Sequence, residues 1–108
     1  MTIKGLAGMG KFRLEIRPWL STAIDPEETG PIVLEQETVN DVTLGSVLRK
    51  LGSEHPTFDK LFFNPDEKVP NNTVAIVKNG MILQSLKELD VRLADGDSII
   101  LMGFLDGG

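Results

Sequence analysis

The last three residues, Asp106-Gly107-Gly108, put two glycines directly after a strand-like run. Glycine has no Cβ, so a Gly107-Gly108 tail can thread a channel too narrow for any side chain. The Gly108 carboxylate would sit at the tip of that arm, with Asp106 in the threading segment behind it. Glycines also collect at chain ends for no reason beyond fraying, so the weight falls on what precedes them. A carboxylate is a poor acyl donor because its leaving group would be oxide. To do acyl chemistry, Gly108 must first be activated by something else.

No other residues form a reacting set. The chain has no cysteine, which removes disulfides, thiolate metal sites and thiol nucleophiles. His55 is the only histidine and has no partner at metal-ligand or general-base spacing, so it reads as a solvated loop residue. Asp95 and Asp97 flank a glycine, and turn formation accounts for them without a carboxylate-pair role. Gly5 to Lys11 matches the spacing of a phosphate-binding loop. However, Phe12 stands where the metal-binding hydroxyl belongs, and a strand rather than a helix follows. Asn71-Asn72-Thr73 fits a glycosylation sequon but reads as a turn, and Asp25, Glu27 and Glu28 read as a solvated loop face. The expectation is a protein with no catalytic residues that binds no metal and no cofactor.

The elements that must carry the tail follow from patterning. In Lys11–Arg17 the residues Phe12, Leu14 and Ile16 alternate with charged ones, predicting a half-buried strand that ends at Pro18. Ile32–Thr38 predicts its hairpin partner. Leu44, Val47, Leu48 and Leu51 recur at helical spacing, predicting a helix capped by Asp41 or Thr43. Gly52 is its expected stop, with Arg49 and Lys50 near the negative end of its dipole. Gly45 inside that helix is expected to cost up to about 1 kcal/mol relative to alanine. Pro56 opens a short helical turn with Phe58, Leu61 and Phe62. Val74–Lys78 predicts a strand, Asn79-Gly80 a hairpin turn, and Ser98–Met102 an apolar final strand suited to the middle of a sheet.

One main helix cannot cover both faces of a sheet, so the fold class is α+β, a mixed sheet with the helix on one face. Pairing the first and last strands in parallel gives the β-grasp arrangement. The expected organisation is a flexible arm over 1–10, the domain over 11–102 and a flexible Gly-Gly tail over 103–108. The 41% hydrophobic content, 25% charged content and net charge of −5 suit one soluble domain and disfavour nucleic acid as a partner. No apolar run is long enough for a membrane span. The N-terminus does not read as a secretory signal, so the expected location is the cytoplasm.

Val91 to Met102, with Leu93, Gly96-Asp97 and Ile99–Met102, followed by Gly107-Gly108, resembles the C-terminal signature of the ubiquitin-like sulfur carriers. These include the small subunit of molybdopterin synthase (MoaD), the thiamine-pathway carrier (ThiS) and the modifier that thiolates tRNA. Val74–Gly80 and the helix near Thr43 fall where that family has its central strand and main helix. The chain departs from the molybdopterin subunit in reading Met102-Gly103-Phe104-Leu105 where that protein commonly has prolines, and the pathway stays open.

The resemblance implies that a ubiquitin-activating-type enzyme uses ATP to adenylate Gly108. A sulfur donor then converts the adenylate to a thiocarboxylate, which gives its sulfur to a precursor, in the molybdopterin case within a synthase large subunit. Six residues from Gly103 to Gly108 would reach on the order of 20 Å into such a site. The alternatives are a ubiquitin-like modifier joined to lysines through Gly108 and a passive interaction domain. Phe104 and Leu105, beyond the final strand, are expected to dock the partner. Phe63 joins them, because Phe62 and Phe63 on one helix cannot face the same core; the other arrangement tucks both rings beneath the following loop.

Overall fold

The computed structural model describes residues 10–38, 42–64, 74–83 and 89–103. Strand β1, Lys11–Ile16, buries Phe12, Leu14 and Ile16 and turns Lys11 and Arg13 to solvent, as its alternation requires. It pairs antiparallel with β2, Ile32–Glu37. On its other side it pairs parallel with β5, Ser98–Gly103, setting Leu14 beside Ile99 and Ile16 beside Leu101. Strand β3, Val74–Lys78, pairs antiparallel with β5 and joins the two-residue strand β4, Met81–Ile82, through a tight turn. The sheet order is β2-β1-β5-β3-β4, so the last strand is the central one. The mixed β-grasp sheet expected from patterning is present.

Two helices cover one face. Helix α1, Leu44–Glu54, starts at Thr43, whose hydroxyl accepts from the Ser46 amide while the Ser46 hydroxyl accepts from the Thr43 amide, both at 3.1 Å. This reciprocal cap satisfies two donors that a helix start otherwise leaves unpaired. Gly52 does not end α1. The helix runs on to Glu54, so Arg49 and Lys50 stand short of its last turn and lose the expected dipole role. Gly45 is a close approach: a Cβ there would lie 3.0 Å from the Leu89 carbonyl oxygen. Its helix cost is therefore tied to packing against the segment that leads into β5.

Helix α2, Pro56–Phe62, begins at His55, whose amide donates to Leu51 and whose carbonyl accepts from Asp59. Phe58 and Phe62 stack at 4.9 Å, and Phe63 meets Phe62 edge-on at 5.1 Å. Such pairs add about 0.5–1.5 kcal/mol each beyond their burial. The rings join Leu14, Ile16, Leu48, Ile99 and Leu101 in a single core. Deleting a fully buried leucine from such a core costs about 2–5 kcal/mol.

The register of β5 is fixed at its start by Asp95-Gly96-Asp97. The Asp95 carboxylate accepts from the Lys11 amide at 2.9 Å, the Gly96 amide donates to the Lys11 carbonyl, and the Arg13 amide donates to the Asp97 carbonyl. The Asp97 carboxylate accepts from the Ala94 amide at 2.8 Å and from the Asn79 side-chain amide at 3.0 Å, with Lys78 Nζ at 3.8 Å. Asn79 Oδ1 in turn accepts from the Ser98 amide at 2.9 Å. One clasp thus joins β1, the β3–β4 turn and β5. Asn79 (φ 51°) and Gly80 (φ 85°) both adopt the left-handed backbone of a type I′ turn. Burial pushes the Asp97 carboxyl up. The Ala94 amide, the Asn79 amide and the Lys78 ammonium outweigh that effect and hold it below the ordinary carboxylate value.

Two outcomes are expected. Gly96 has φ 87° with nothing within 4 Å of where a Cβ would point. Gly96→Ala should therefore cost about 1–2 kcal/mol of purely conformational origin, and an unchanged urea midpoint would refute this. For Asp97, a depressed folded pKa gives stability that is full above its unfolded value and is lost as pH falls through the folded one. Asp97→Asn should destabilise by about 1 kcal/mol at neutral pH. The gap to wild type should close as the pH drops below about 4; a gap that persists in acid would contradict the assignment.

Candidate functional site

The site is the end of the sheet from which the tail leaves. Strand β5 runs one residue further than patterning suggests, through Gly103, which is buried and pairs with Val74. Because β1 and β5 are parallel, both deliver their C-terminal ends to this edge. The Arg17 amide donates to the Leu101 carbonyl at 2.9 Å, extending the ladder past β1. The root of the tail is thus held on one side by Arg17 and on the other by Val74. Phe104, Leu105, Asp106, Gly107 and Gly108, like residues 1–9 of the N-terminal arm and the sequon at 71–73, lie outside the described residues.

On the sheet face away from the helices, apolar residues are exposed or half-buried among the described residues. Register aligns Val33, Glu15, Ile100, Val77 and Ile82 across all five strands, with Met102 beside Ala75 in the adjoining row. Val33 and Ile82 are exposed and Ile100, Val77 and Met102 half-buried. Glu15 bridges Arg17 at 3.0 Å and Arg13 at 3.7 Å, so a charged group separates Val33 from the apolar residues of the other strands.

Phe63 is not part of that surface. It is 8% exposed and belongs to the core. Helix α2 stops at Phe62, and Phe63 continues in extended backbone (φ −103°, ψ 143°), which turns its ring inward. The divergence expected of helical neighbours does not apply, because the two residues do not share a helix. Asp95 and Asp97 are turn-forming groups, as expected. Asp25 accepts from the Glu27 amide and Glu28 from the Gly30 amide, so these acids order their own loop. Among the described residues, no group of acids and histidine is arranged to hold a metal, and no helix is long and apolar enough to cross a membrane.

Sequence reasoning gives no role to Trp19, the only tryptophan. It lies two residues beyond Arg17, at the tail end of the sheet. Its side chain is 42% exposed and its backbone has φ 84°, a value that bulky residues rarely adopt. The available signal is a lone indole directly after a strand-ending proline.

The fold has relatives among solved structures. Small archaeal modifier protein 1 (SAMP1) of Methanosarcina acetivorans matches with TM-score 0.66 at 19% identity, over 92% of this chain and 97% of that one. SAMP1 of Haloferax volcanii matches with TM-score 0.65 at 20% identity, over 92% and 100%. A putative molybdopterin converting factor subunit 1 from Pyrococcus furiosus matches with TM-score 0.53 at 14% identity, over 85% and 97%. These likenesses establish the ubiquitin-like β-grasp fold. No curated protein matches the chain in sequence. The ThiS family profile, however, matches residues 23–108, which spans both helices, four of the five strands and the glycine tail. The chain belongs to the ThiS family of small ubiquitin-like proteins, which are not enzymes.

Proposed function

We propose that the chain is a sulfur carrier whose Gly108 carboxylate is adenylated and then converted to a thiocarboxylate. One observation carries this reading: the family match runs through Gly108 and therefore includes the tail that such chemistry needs. The structure supports it by anchoring the strand before the tail at the centre of the sheet. Five residues beyond Gly103, at about 3.3–3.6 Å each, reach roughly 17 Å, enough to enter a buried site while the domain docks outside.

In the first step a Gly108 oxygen attacks the α-phosphorus of ATP, the bond to the β-phosphate oxygen breaks, and pyrophosphate leaves. In the second, hydrosulfide attacks the acyl carbon, the C–O bond to AMP breaks, and the thiocarboxylate remains. With a persulfide donor the product is an acyl disulfide, and a thiol must reduce it. The activating enzyme supplies the ATP site and this chain supplies the acyl group. Gly107 and Asp106 occupy the channel, while Phe104, Leu105 and the sheet face around Ile100 and Met102 meet the partner. The acceptor would be a molybdopterin-type or related precursor held by a synthase subunit, in the cytoplasm.

A second reading is favoured by the likeness to SAMP1, a protein named as a modifier: the same adenylate is captured by a lysine amine, forming an isopeptide bond.

Intact mass of the chain purified gently from its host should contain a species heavier by one oxygen-to-sulfur exchange, mapped to Gly108. Incubation with host extract, ATP and a sulfur source should increase it. Lysine adducts in place of the exchange would favour the modifier reading, and neither product would leave a passive domain. Gly107→Ala should leave the urea midpoint unchanged and reduce thiocarboxylate formation by at least about tenfold, since the channel tolerates no Cβ. Normal charging of that variant would end the narrow-channel account.

A further inference from the structure

Among the described residues four large apolar side chains are exposed: Trp19, Val33, Met81 and Ile82. Val33 lies within β2, and Met81 and Ile82 form β4 at the clasp end of the sheet, away from the tail. Trp19 alone stands in a connecting turn at the tail end. It is also one of two non-glycine residues with positive φ among the described residues, the other being turn-forming Asn79. Asparagine tolerates that region, whereas tryptophan gains nothing locally from it.

The turn holds Trp19 there from both sides. The Arg17 amide is committed to Leu101 and the Arg17 carbonyl accepts from the Ser21 amide at 2.9 Å. The Thr22 hydroxyl donates to the Trp19 carbonyl at 2.7 Å. Leu20 and Ser21, the next two residues, are wholly buried, and the Ser21 hydroxyl donates to the Gly30 carbonyl at 2.9 Å. With its neighbours fixed, the indole is turned outward. Strain of this kind persists where the surroundings over-determine it, and it clusters at sites of contact with ligands. Burying Leu20 and Ser21 explains the turn, but it does not explain why the strained position carries the largest side chain available.

Location selects the occupant. Trp19 lies two residues beyond Arg17, in the turn closed by the Ser21–Arg17 hydrogen bond, and Gly103 lies two residues beyond Leu101, the partner of the Arg17 amide. A protein that draws the tail into its active site must press against this edge. We propose that Trp19 is the docking anchor for the enzyme that activates the tail, its indole filling an apolar pocket beside the mouth of the channel. This rests on Gly108 being adenylated. Tryptophan suits an anchoring role because it brings a large, rigid contact area and is over-represented among residues that dominate interface energy.

The experiment uses host extract, ATP and hydroxylamine. Hydroxylamine nitrogen attacks the acyl carbon of the adenylate, AMP leaves, and Gly108 becomes a hydroxamate, which is counted by intact mass. At sub-saturating chain, Trp19→Ala and Trp19→Gly should each slow hydroxamate formation by about tenfold or more, while Trp19→Phe retains most of the rate. At saturating chain the rates should converge. Urea unfolding separates docking from folding: glycine accepts φ 84° without strain, so Trp19→Gly should be at least as stable as Trp19→Ala. A structural role would make the glycine variant the faster of the two, whereas docking makes both equally slow. Wild-type rates for both variants would overturn the proposal. So would a change confined to self-association on size exclusion, which would assign the indole to a second copy of the chain. If the wild-type chain itself gives no hydroxamate, the reading of Gly108 fails, and the anchor proposal fails with it.

Discussion

The parallel pairing of β1 with β5 is the constraint on which the rest of the structure depends. Two strands at opposite ends of the sequence can run side by side only if everything between them crosses from one end of the sheet to the other. Strand β2 carries the chain back to the clasp end, and β3 brings it there again before the segment through Val91 and Leu93 enters β5. The Leu44 amide donates to the Val91 carbonyl and the Leu93 amide to the Val42 carbonyl, so the returning chain is stitched to the start of α1 before it enters the clasp. Once Asp95-Gly96-Asp97 has gripped Lys11, Arg13 and Asn79, the register of β5 is set. A slip by one residue would move Ile99 and Leu101 out of the core.

Much of this is legible in sequence because the relevant signals are local. Alternation in Lys11–Ile16, helical spacing from Leu44 to Leu51, and Asn79-Gly80 each report a backbone preference with few competitors. The failures are instructive for the same reason. Gly52 has the profile of a helix stop because glycine often is one, yet in the structure Asp59 of α2 packs where a Cβ would stand, and tertiary packing overrides the local rule. Phe63 is misplaced on the surface when helical geometry is extended one residue too far. The candidate site is half legible: the tail announces itself in composition, but Trp19 does not. Its significance lies in a positive φ and in adjacency to Leu101 across the sheet, and neither can be read from one position at a time.

The described acidic groups that make hydrogen bonds serve turns and strand register. Asp95 and Asp97 are committed to the turn that registers β5, and Asp25 to its own loop. The proposed docking surfaces are the sheet face away from the helices and the edge at Arg17 and Gly103. The ion pairs of Glu15 with Arg13 and Arg17, on the inner strand β1, are solvent-exposed on the arginine side. They contribute little to stability, as such pairs do.

Placing the last strand at the centre also determines when the protein can exist. Strand β1 ends at Ile16 and β5 begins at Ser98, a separation of 98 − 16 = 82 residues. At roughly 5–20 residues per second of synthesis, β1 waits about 4–16 s for its central neighbour. Until then β1 and β2 form an isolated hairpin, which is marginal in water. A chain interrupted before β5 therefore has no closed sheet. The central place in the sheet can be filled only once Ser98–Gly103 has been made, so closure of the sheet has to follow synthesis of nearly all the described residues.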